Sequence, residues 1–311
     1  MSAVATETSD VQRARERFRD ELLRAGVLVD GGSPGLYLRS GTFERIVAGI
    51  DRLVSEAGRD HRAPVLHFPA VMTRRDFEAT GYVGSFPDLL GSIHTFGGGD
   101  REHRRMLAEV EGGGSWTEHL QPSDLMMCSA ACHPLYPTRR GKLAGGGEVY
   151  EVFGQVFRHE PSVDPARMQT FRQHEFVHLG DDTSAVAHRD TWVERAVDLH
   201  RSLGLDVSTE VANDPFFGRV GRIMADSQRN EALKIEIVAT VSSEDSPTAI
   251  TSANCHQDHF GQSFGIETAE GQVAHTSCVG FGVERITLAL YRRHGLDVEA
   301  WPAQVRSLLA V

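Results

Sequence analysis

Residues 148–158, EVYEVFGQVFR, and residues 170–178, TFRQHEFVH, each mix β-branched and aromatic side chains in the manner of a strand, and the turn-rich EPSVDPAR joins them. Two such runs around a Pro/Ser/Asp turn fold back as an antiparallel pair. Later segments extend the pattern. ALKIEIVAT (232–240) alternates Leu233, Ile235, Ile237 and Ala239 against Lys234 and Glu236, which gives a strand with one polar face. TSANCHQDHF (251–260) reads as a strand entering a turn, and CVGFGVERITLALYRRHG (278–295) as strand, glycine turn and helix. Further helices are predicted over 42–57, with Phe43, Ile46, Val47, Ile50, Leu53 and Val54 at helical spacing before Gly58, and over 184–203, with Trp192, Val193, Ala196, Val197 and Leu203 on one face. PVLHFP (64–69) reads as a short buried strand closed by Pro69. Residues 11–25 form a helix whose Arg/Glu-rich character predicts a solvated or docking element. Hairpin-linked strands with helices grouped between them predict an α+β domain built on an antiparallel sheet flanked by helices, not a doubly wound one.

Composition narrows the function. The chain has 311 residues, 40% of them apolar, and a formal charge of −11. That charge argues against a general nucleic-acid binder, whose footprint is normally basic. No run approaches the ~20 apolar residues of a membrane span, and MSAVATETSDVQRARERFRDELL lacks the apolar core of a secretory signal. Four cysteines are too few for a disulfide scaffold, so a reduced, cytoplasmic protein is expected, with no membrane partner. Neither a G-x-x-x-x-G-K-S/T loop nor a strand–G-x-G-x-x-G–helix unit is present. The glycine runs at 97–100, 112–114 and 145–147 read as connections, since no helix with the right lysine follows them.

The hairpin carries more guanidiniums than a surface hairpin needs. Residues two apart in a strand share a face, so Arg158 points with Glu160, and Arg172, His174 and Phe176 point together, opposite Gln173 and Glu175. Planar guanidiniums suit phosphates, an aromatic ring suits stacking on a base, and a glutamate accepts from an exocyclic amine. The same residues would also make a salt-bridged hairpin, with Arg158–Glu160 and Arg172–Glu175 merely pairing. GFGVER tips the balance, because it places Arg285 in the first turn of a helix after a strand, as a second and independent phosphate ligand.

FRHE…FRQHEF together with GFGVER resembles motifs 2 and 3 of the class II aminoacyl-tRNA synthetases, and VLHFP after its helix is similar to motif 1, whose proline sits at a dimer interface. The seryl-tRNA synthetase core is the nearest likeness, from about residue 40 to the C-terminus. The resemblance implies a class II catalytic domain over 41–311 behind an N-terminal segment over 1–40, and a homodimer. It implies that Arg158 binds the α-phosphate of ATP, Glu160 the adenine edge and Arg285 the γ-phosphate, while Phe176 stacks on adenine. Arg172, or Arg167 beside Met168 in the turn, would touch the bent triphosphate. Ala249, Ile250, Thr251 and Ser252 would line the ATP site. Ordinary seryl enzymes carry a metal-binding glutamate where this chain has Ala249, which leaves Lys234 and Glu236 on the neighbouring strand beside Mg²⁺-ATP.

Around the amino-acid pocket the chain departs further from ordinary seryl enzymes. Gly180 stands where one amine-binding carboxylate is expected, and CSAACHPLYP replaces the T-x-E loop. Cys132, Glu175 and Cys278 resemble instead the Zn²⁺ ligands of the methanogens' zinc-dependent seryl enzymes, with Asn254 close by. Two thiolates and a carboxylate fill three tetrahedral positions and leave one for a substrate amine. Cys128 and Cys255 read as small buried hydrophobes, and His133, His174, His256, His259 and His275 as residues that could orient ligands. Only about 40 residues precede the core, too few to embrace a tRNA. A truncated, zinc-dependent, seryl-like core is similar to the amino acid:carrier-protein ligases. That resemblance implies an AMP-forming ligase that activates glycine or alanine and loads the phosphopantetheine thiol of a small acidic carrier protein, without tRNA. Arg219 and Arg222 in NDPFFGRVGR would make a basic patch for the carrier. Two alternatives stand beside this: a synthetase charging tRNA with a partner, and a catalytically inactive regulatory paralogue.

Overall fold

Pairing between residues 148–157 and 170–180 sets the middle of the molecule, and the other strands add on either side of it. The computed structural model describes residues 9–213 and 232–311; Arg219 and Arg222 lie outside the described residues. Among these, the main sheet has seven strands: β1 (Val65–Phe68), β2 (Glu148–Phe157), β3 (Thr170–Gly180), β4 (Val207–Ala212), β5 (Lys234–Ser243), β6 (Ser246–Gln257) and β7 (His275–Gly282). Their spatial order is β4-β5-β6-β7-β3-β2-β1. Every neighbouring pair is antiparallel except β1 with β2, which run parallel at the edge. The α+β expectation holds: a largely antiparallel sheet is flanked by helices.

Among the described residues the long helices against the sheet are α1 (Ser9–Arg24), α2 (Gly41–Ala57), α3 (Asp182–Ser202) and α4 (Val283–His294). Ser40 caps α2, its hydroxyl accepting from the Phe43 backbone N–H at 3.2 Å. Phe43, Ile46, Val47, Ile50 and Val54 then fall on one buried stripe. α2, α3 and α4 share the main core with the inward faces of β3, β5, β6 and β7. A second core on the opposite face of the sheet joins the 131–136 loop to the short helix His259–Phe264.

One expectation is narrowed here and one changes. Of the two readings of the N-terminal helix, the docking one holds: Phe18 and Leu22 are buried in the main core, and its charged residues surround an apolar seam too narrow to stand out in composition. VLHFP is not a buried strand but an edge strand with Val65 half exposed, because nothing in the chain pairs with its outer side among the described residues.

Between β1 and β2 the chain makes a three-stranded sheet from Val71–Thr73, Ser92–Phe96 and Leu120–Met127, with a helix over Asp100–Glu111 that buries none of its residues. Exposed large apolar side chains concentrate in this part of the chain: Val65, Val83, Phe96, Leu107, Val110, Trp116 and Leu125. No helix among the described residues is long and apolar enough to cross a membrane.

Candidate active site

A cleft of about 490 Å³ opens over the sheet face opposite α3 and α4. Strand alternation decides which side chains reach it. From β3 these are Phe171, Gln173 and Glu175; from β5, Lys234 and Glu236; from β6, Ser252 and Asn254; from β7, Cys278 and Gly280. Arg158, just after β2, and Arg285, in the first turn of α4, close one end.

At that end the arginines are held by carbonyls. Arg158 donates through Nε to Ser129 O at 3.1 Å, and its guanidinium lies 5.6 Å from the centre of the Phe171 ring. Arg285 donates through Nε to Ala166 O (2.9 Å) and through Nη1 to Ala249 O (3.0 Å). Neither forms an ion pair with a carboxylate among the described residues. Burial, and then the charge of Arg167, lowers the basicity of Arg285, so an added anion would be strongly favoured beside it. Glu160 lines the cleft and accepts from Arg167 Nη1 at 3.3 Å. Lys234 Nζ and Glu236 Oε1 pair at 2.9 Å. Ser252 faces the cleft, whereas the Thr251 hydroxyl turns away to His200 Nε2 at 2.8 Å and Ile250 packs its side chain into the main core.

Three of the residues expected at ATP stand elsewhere. Phe176 is fully buried on the other face of β3, its ring centroid 4.4 Å from that of Trp192. Gly58 leaves room for it, since a Cβ there would lie 2.1 Å from Phe176 Cζ. The aromatic that β3 presents to the cleft wall is Phe171, five residues earlier and on the same face as Glu175. Arg172 is also on the core side, where it donates to Glu284 Oε1 at 2.7 Å through Nε and to Glu44 Oε2 at 2.6 Å through Nη1. Its backbone N–H donates to Glu284 as well, at 2.9 Å. It therefore ties β3 to α2 and α4 and does not reach the cleft. Met168 lies in the main core. A period of two separates the faces of a strand but does not say which one looks at the ligand; the neighbours of β3 decide that.

At the other end Cys132, Glu175 and Cys278 converge. One ligand atom from each lies within 4.8 Å of the others, and all three residues are buried. The sheet supplies two of them: β7 pairs Cys278 with Val177 and Gly280 with Glu175, so both side chains point into the cleft on adjacent strands. Cys132 arrives on the 129–133 loop, which lies directly on β2 because Gly154 has no side chain; a Cβ there would meet the Ala131 Cβ at 2.8 Å. Ala131 N donates to Glu175 Oε1 at 3.2 Å, while Glu175 Oε2 is buried without a hydrogen-bond partner. Burial and the Cys278 sulfur push the Glu175 carboxyl up to about 8. A hydrogen bond with Cys278, together with burial, holds Cys132 well above the usual thiol range, and the same bond holds Cys278 below it.

Three acidic groups this close cannot all ionise in a dry site without a cation. A cation would release both thiols and occupy the orphaned carboxylate oxygen. Two sulfurs and one oxygen suit zinc. His256 lies against the set, its Nε2 3.6 Å from Cys278 Sγ and its Nδ1 3.0 Å from Thr276 Oγ1; Asn254 Nδ2 lies 3.7 Å from the same sulfur. His133 and His259 line the cleft. His174 instead sits on the far face between Asp51 and Glu151. Phe171, Gln173 and Phe260 join the cleft wall without having been singled out in the sequence. The one signal for Phe171 was that it shares the period-two face of Glu175.

No protein-family model matches the chain. It is 43% identical over 282 residues to the amino acid–acyl-carrier-protein ligase 2 of Bradyrhizobium diazoefficiens, across 90% of this chain and 84% of that protein. It is 25% identical over 206 residues to the type-2 serine–tRNA ligase of Methanopyrus kandleri, across 62% of this chain and 39% of that one. Among solved structures it superposes on M. kandleri SerRS, crystallised with A. aeolicus tRNASec, with a TM-score of 0.81 at 19% identity. That match covers 94% of this chain and 60% of the synthetase, so the chain spans less than two thirds of the synthetase's length.

Proposed function

The chain belongs to the amino acid–acyl-carrier-protein ligase family, and from that premise we propose that it activates glycine or alanine with Mg²⁺-ATP and passes the aminoacyl group to the phosphopantetheine thiol of a holo-carrier protein. The observation that carries this is the meeting in one cleft of two chemically opposite sets of groups. Two guanidiniums without carboxylate partners among the described residues stand toward one end, with Arg158 held by the loop that carries Cys132, and three crowded acidic groups stand at the other. The first end suits a triphosphate and the second a cation with an amine.

In this scheme adenine stacks on Phe171 with Glu160 at its edge, and Arg158 and Arg285 hold the phosphates. Arg167 stands behind them, and Lys234, Glu236 and Ser252 flank the polar wall with the Ala249 carbonyl. Cys132, Glu175 and Cys278 would hold zinc, whose role when bound is to fix the substrate amine as a neutral ligand. The substrate carboxylate attacks the α-phosphorus, the bond to the β-phosphate breaks, and pyrophosphate leaves; Arg158 and Arg285 balance the charge that develops. The carrier thiol then attacks the activated carbonyl and AMP leaves. No side-chain nucleophile is required.

A small side chain fits a pocket whose carboxylates are Glu160, Glu175 and Glu236, with Glu175 committed to the cation. Glycine and alanine differ by one methyl, worth about 1–3 kcal/mol of discrimination, so cross-activation is expected. A net charge of −11 offers little attraction to tRNA. The apolar surface between Val65 and Leu125 supports a homodimer built through the edge strand and its neighbouring small sheet. The test is to incubate enzyme, ATP and labelled glycine or alanine with holo-carrier, apo-carrier and total tRNA in parallel. Label confined to holo-carrier is expected. Label on tRNA would favour a tRNA-charging enzyme, and no pyrophosphate exchange with any amino acid would favour an inactive regulatory paralogue.

A further inference from the structure

The turn that joins β2 to β3 carries Glu160 and Arg167 and gives its Ala166 carbonyl to Arg285. The sheet holds this turn through Ser242 on β5, and the N-terminal segment holds it at two further places. Arg15, on α1, pairs through Nε with Asp164 Oδ2 at 2.9 Å, with both side chains almost fully buried. The other oxygen of Asp164 serves the turn and β5: Oδ1 accepts from Ala166 N (3.0 Å) and from the Ser242 hydroxyl (3.1 Å), and its backbone carbonyl accepts from Arg167 N (2.9 Å). At the far side of the turn, Gln169 donates from its backbone to Gly35 O (2.9 Å) and from its side chain to Pro34 O (2.8 Å).

These contacts form one continuous path. Arg15 fixes Asp164, Asp164 fixes the backbone at Ala166, and the Ala166 carbonyl accepts from Arg285 Nε. Arg285 is thereby held between the turn and Ala249 on β6, with its remaining face toward the cleft. We propose that Arg15 and Asp164 are positioning residues for ATP: the N-terminal helix sets the turn, and through it the guanidinium of Arg285, before the nucleotide arrives. The proposal rests on the assignment of Arg285 to the triphosphate. A helix that only packed against the body would need Phe18 and Leu22 but no buried ion pair to this turn. Preorganisation of this kind lowers the ordering cost of binding and leaves the Cys132–Glu175–Cys278 end untouched.

The experiment compares Arg15→Met, which keeps the aliphatic stem, Arg15→Lys, Asp164→Asn and, as a packing control, Phe18→Leu. Each is assayed by ATP–pyrophosphate exchange well below its thermal midpoint, with metal content measured on the same samples. Arg15→Met and Asp164→Asn should each raise KM for ATP about tenfold, with KM for the amino acid and metal content unchanged. Arg15→Lys should recover part of the loss. Phe18→Leu should lower the thermal midpoint and leave KM for ATP within about twofold of wild type. Equal effects on both substrates, or an ATP KM that follows the thermal midpoint across all four variants, would overturn the proposal. Arg285→Ala separates the two levels: wild-type exchange there would remove the triphosphate assignment itself, whereas a large loss there with an unchanged ATP KM in Arg15→Met would remove only the positioning role.

Discussion

The two faces of β3 carry nearly the same chemistry and do different things. Toward the cleft stand Phe171, Gln173 and Glu175; toward the helices stand Arg172, His174 and Phe176. Each face has an aromatic ring, a polar group and a charged one. What differs is the surroundings. On the core side both polar side chains meet protein partners: Arg172 meets Glu284 and Glu44, and His174 lies between Asp51 and Glu151. On the cleft side Glu175 keeps a buried oxygen with no partner, and Phe171 lies under a guanidinium with no carboxylate. On this strand the satisfied groups tie the sheet to the helices, and the unsatisfied ones face the open cleft.

That contrast can be broken most severely at Glu175. Glu175→Ala should strip zinc from the purified protein and reduce amino-acid activation by at least about 100-fold, given that even outer partners of metal ligands cost 10–100-fold. Elemental analysis beside pyrophosphate exchange reads both. Full metal content would return Cys132 and Cys278 to ordinary core residues.

One residue along, on the opposite face of β3, Phe176→Ala should do the reverse. The ring is fully buried against Trp192, so its removal should cost about 3–5 kcal/mol of stability. KM for ATP in the folded fraction should stay near wild type. Denaturant unfolding and exchange kinetics on the same preparation separate the two effects. A selective loss of ATP affinity would move the stacking position back to Phe176.

Phe171→Ala should show the smallest change. ATP affinity should fall by about 1–3 kcal/mol, the usual worth of one base–aromatic stack, with little change in unfolding midpoint because the ring is only partly buried. An unaltered ATP KM would detach adenine from this wall.

Much of the architecture was legible because it is local. Alternation over 148–178 implied the hairpin, and the stripe Phe43–Val54 with Gly58 after it implied α2 to within a residue. Arg158 and Arg285 were legible as candidates because one follows directly on a strand and the other stands in the first turn of the helix after a strand, and both line the cleft. The face of β3 was not, since that depends on Gly154 admitting the 129–133 loop on one side and Gly58 admitting the Phe176 ring on the other. Arg172 looked like a spare cation because its partners, Glu44 and Glu284, are more than 100 residues away in either direction. Cys132, Glu175 and Cys278 have no diagnostic spacing. The resemblance to zinc-dependent seryl enzymes singled them out, and the pairing of β7 with β3 is what brings two of them together. Arg15 drew no notice, because its role exists only once Asp164 is buried beneath it.

The most direct test of the account is a crystal structure of the protein with zinc and a non-hydrolysable glycyl-adenylate analogue, recorded at the zinc absorption edge. The account predicts one anomalous peak among Cys132, Glu175 and Cys278 with the analogue's amine beside it, the phosphate oxygens on Arg158, and adenine against Phe171. An analogue bound with no anomalous peak among those three residues, or with its adenine away from Phe171, would contradict it.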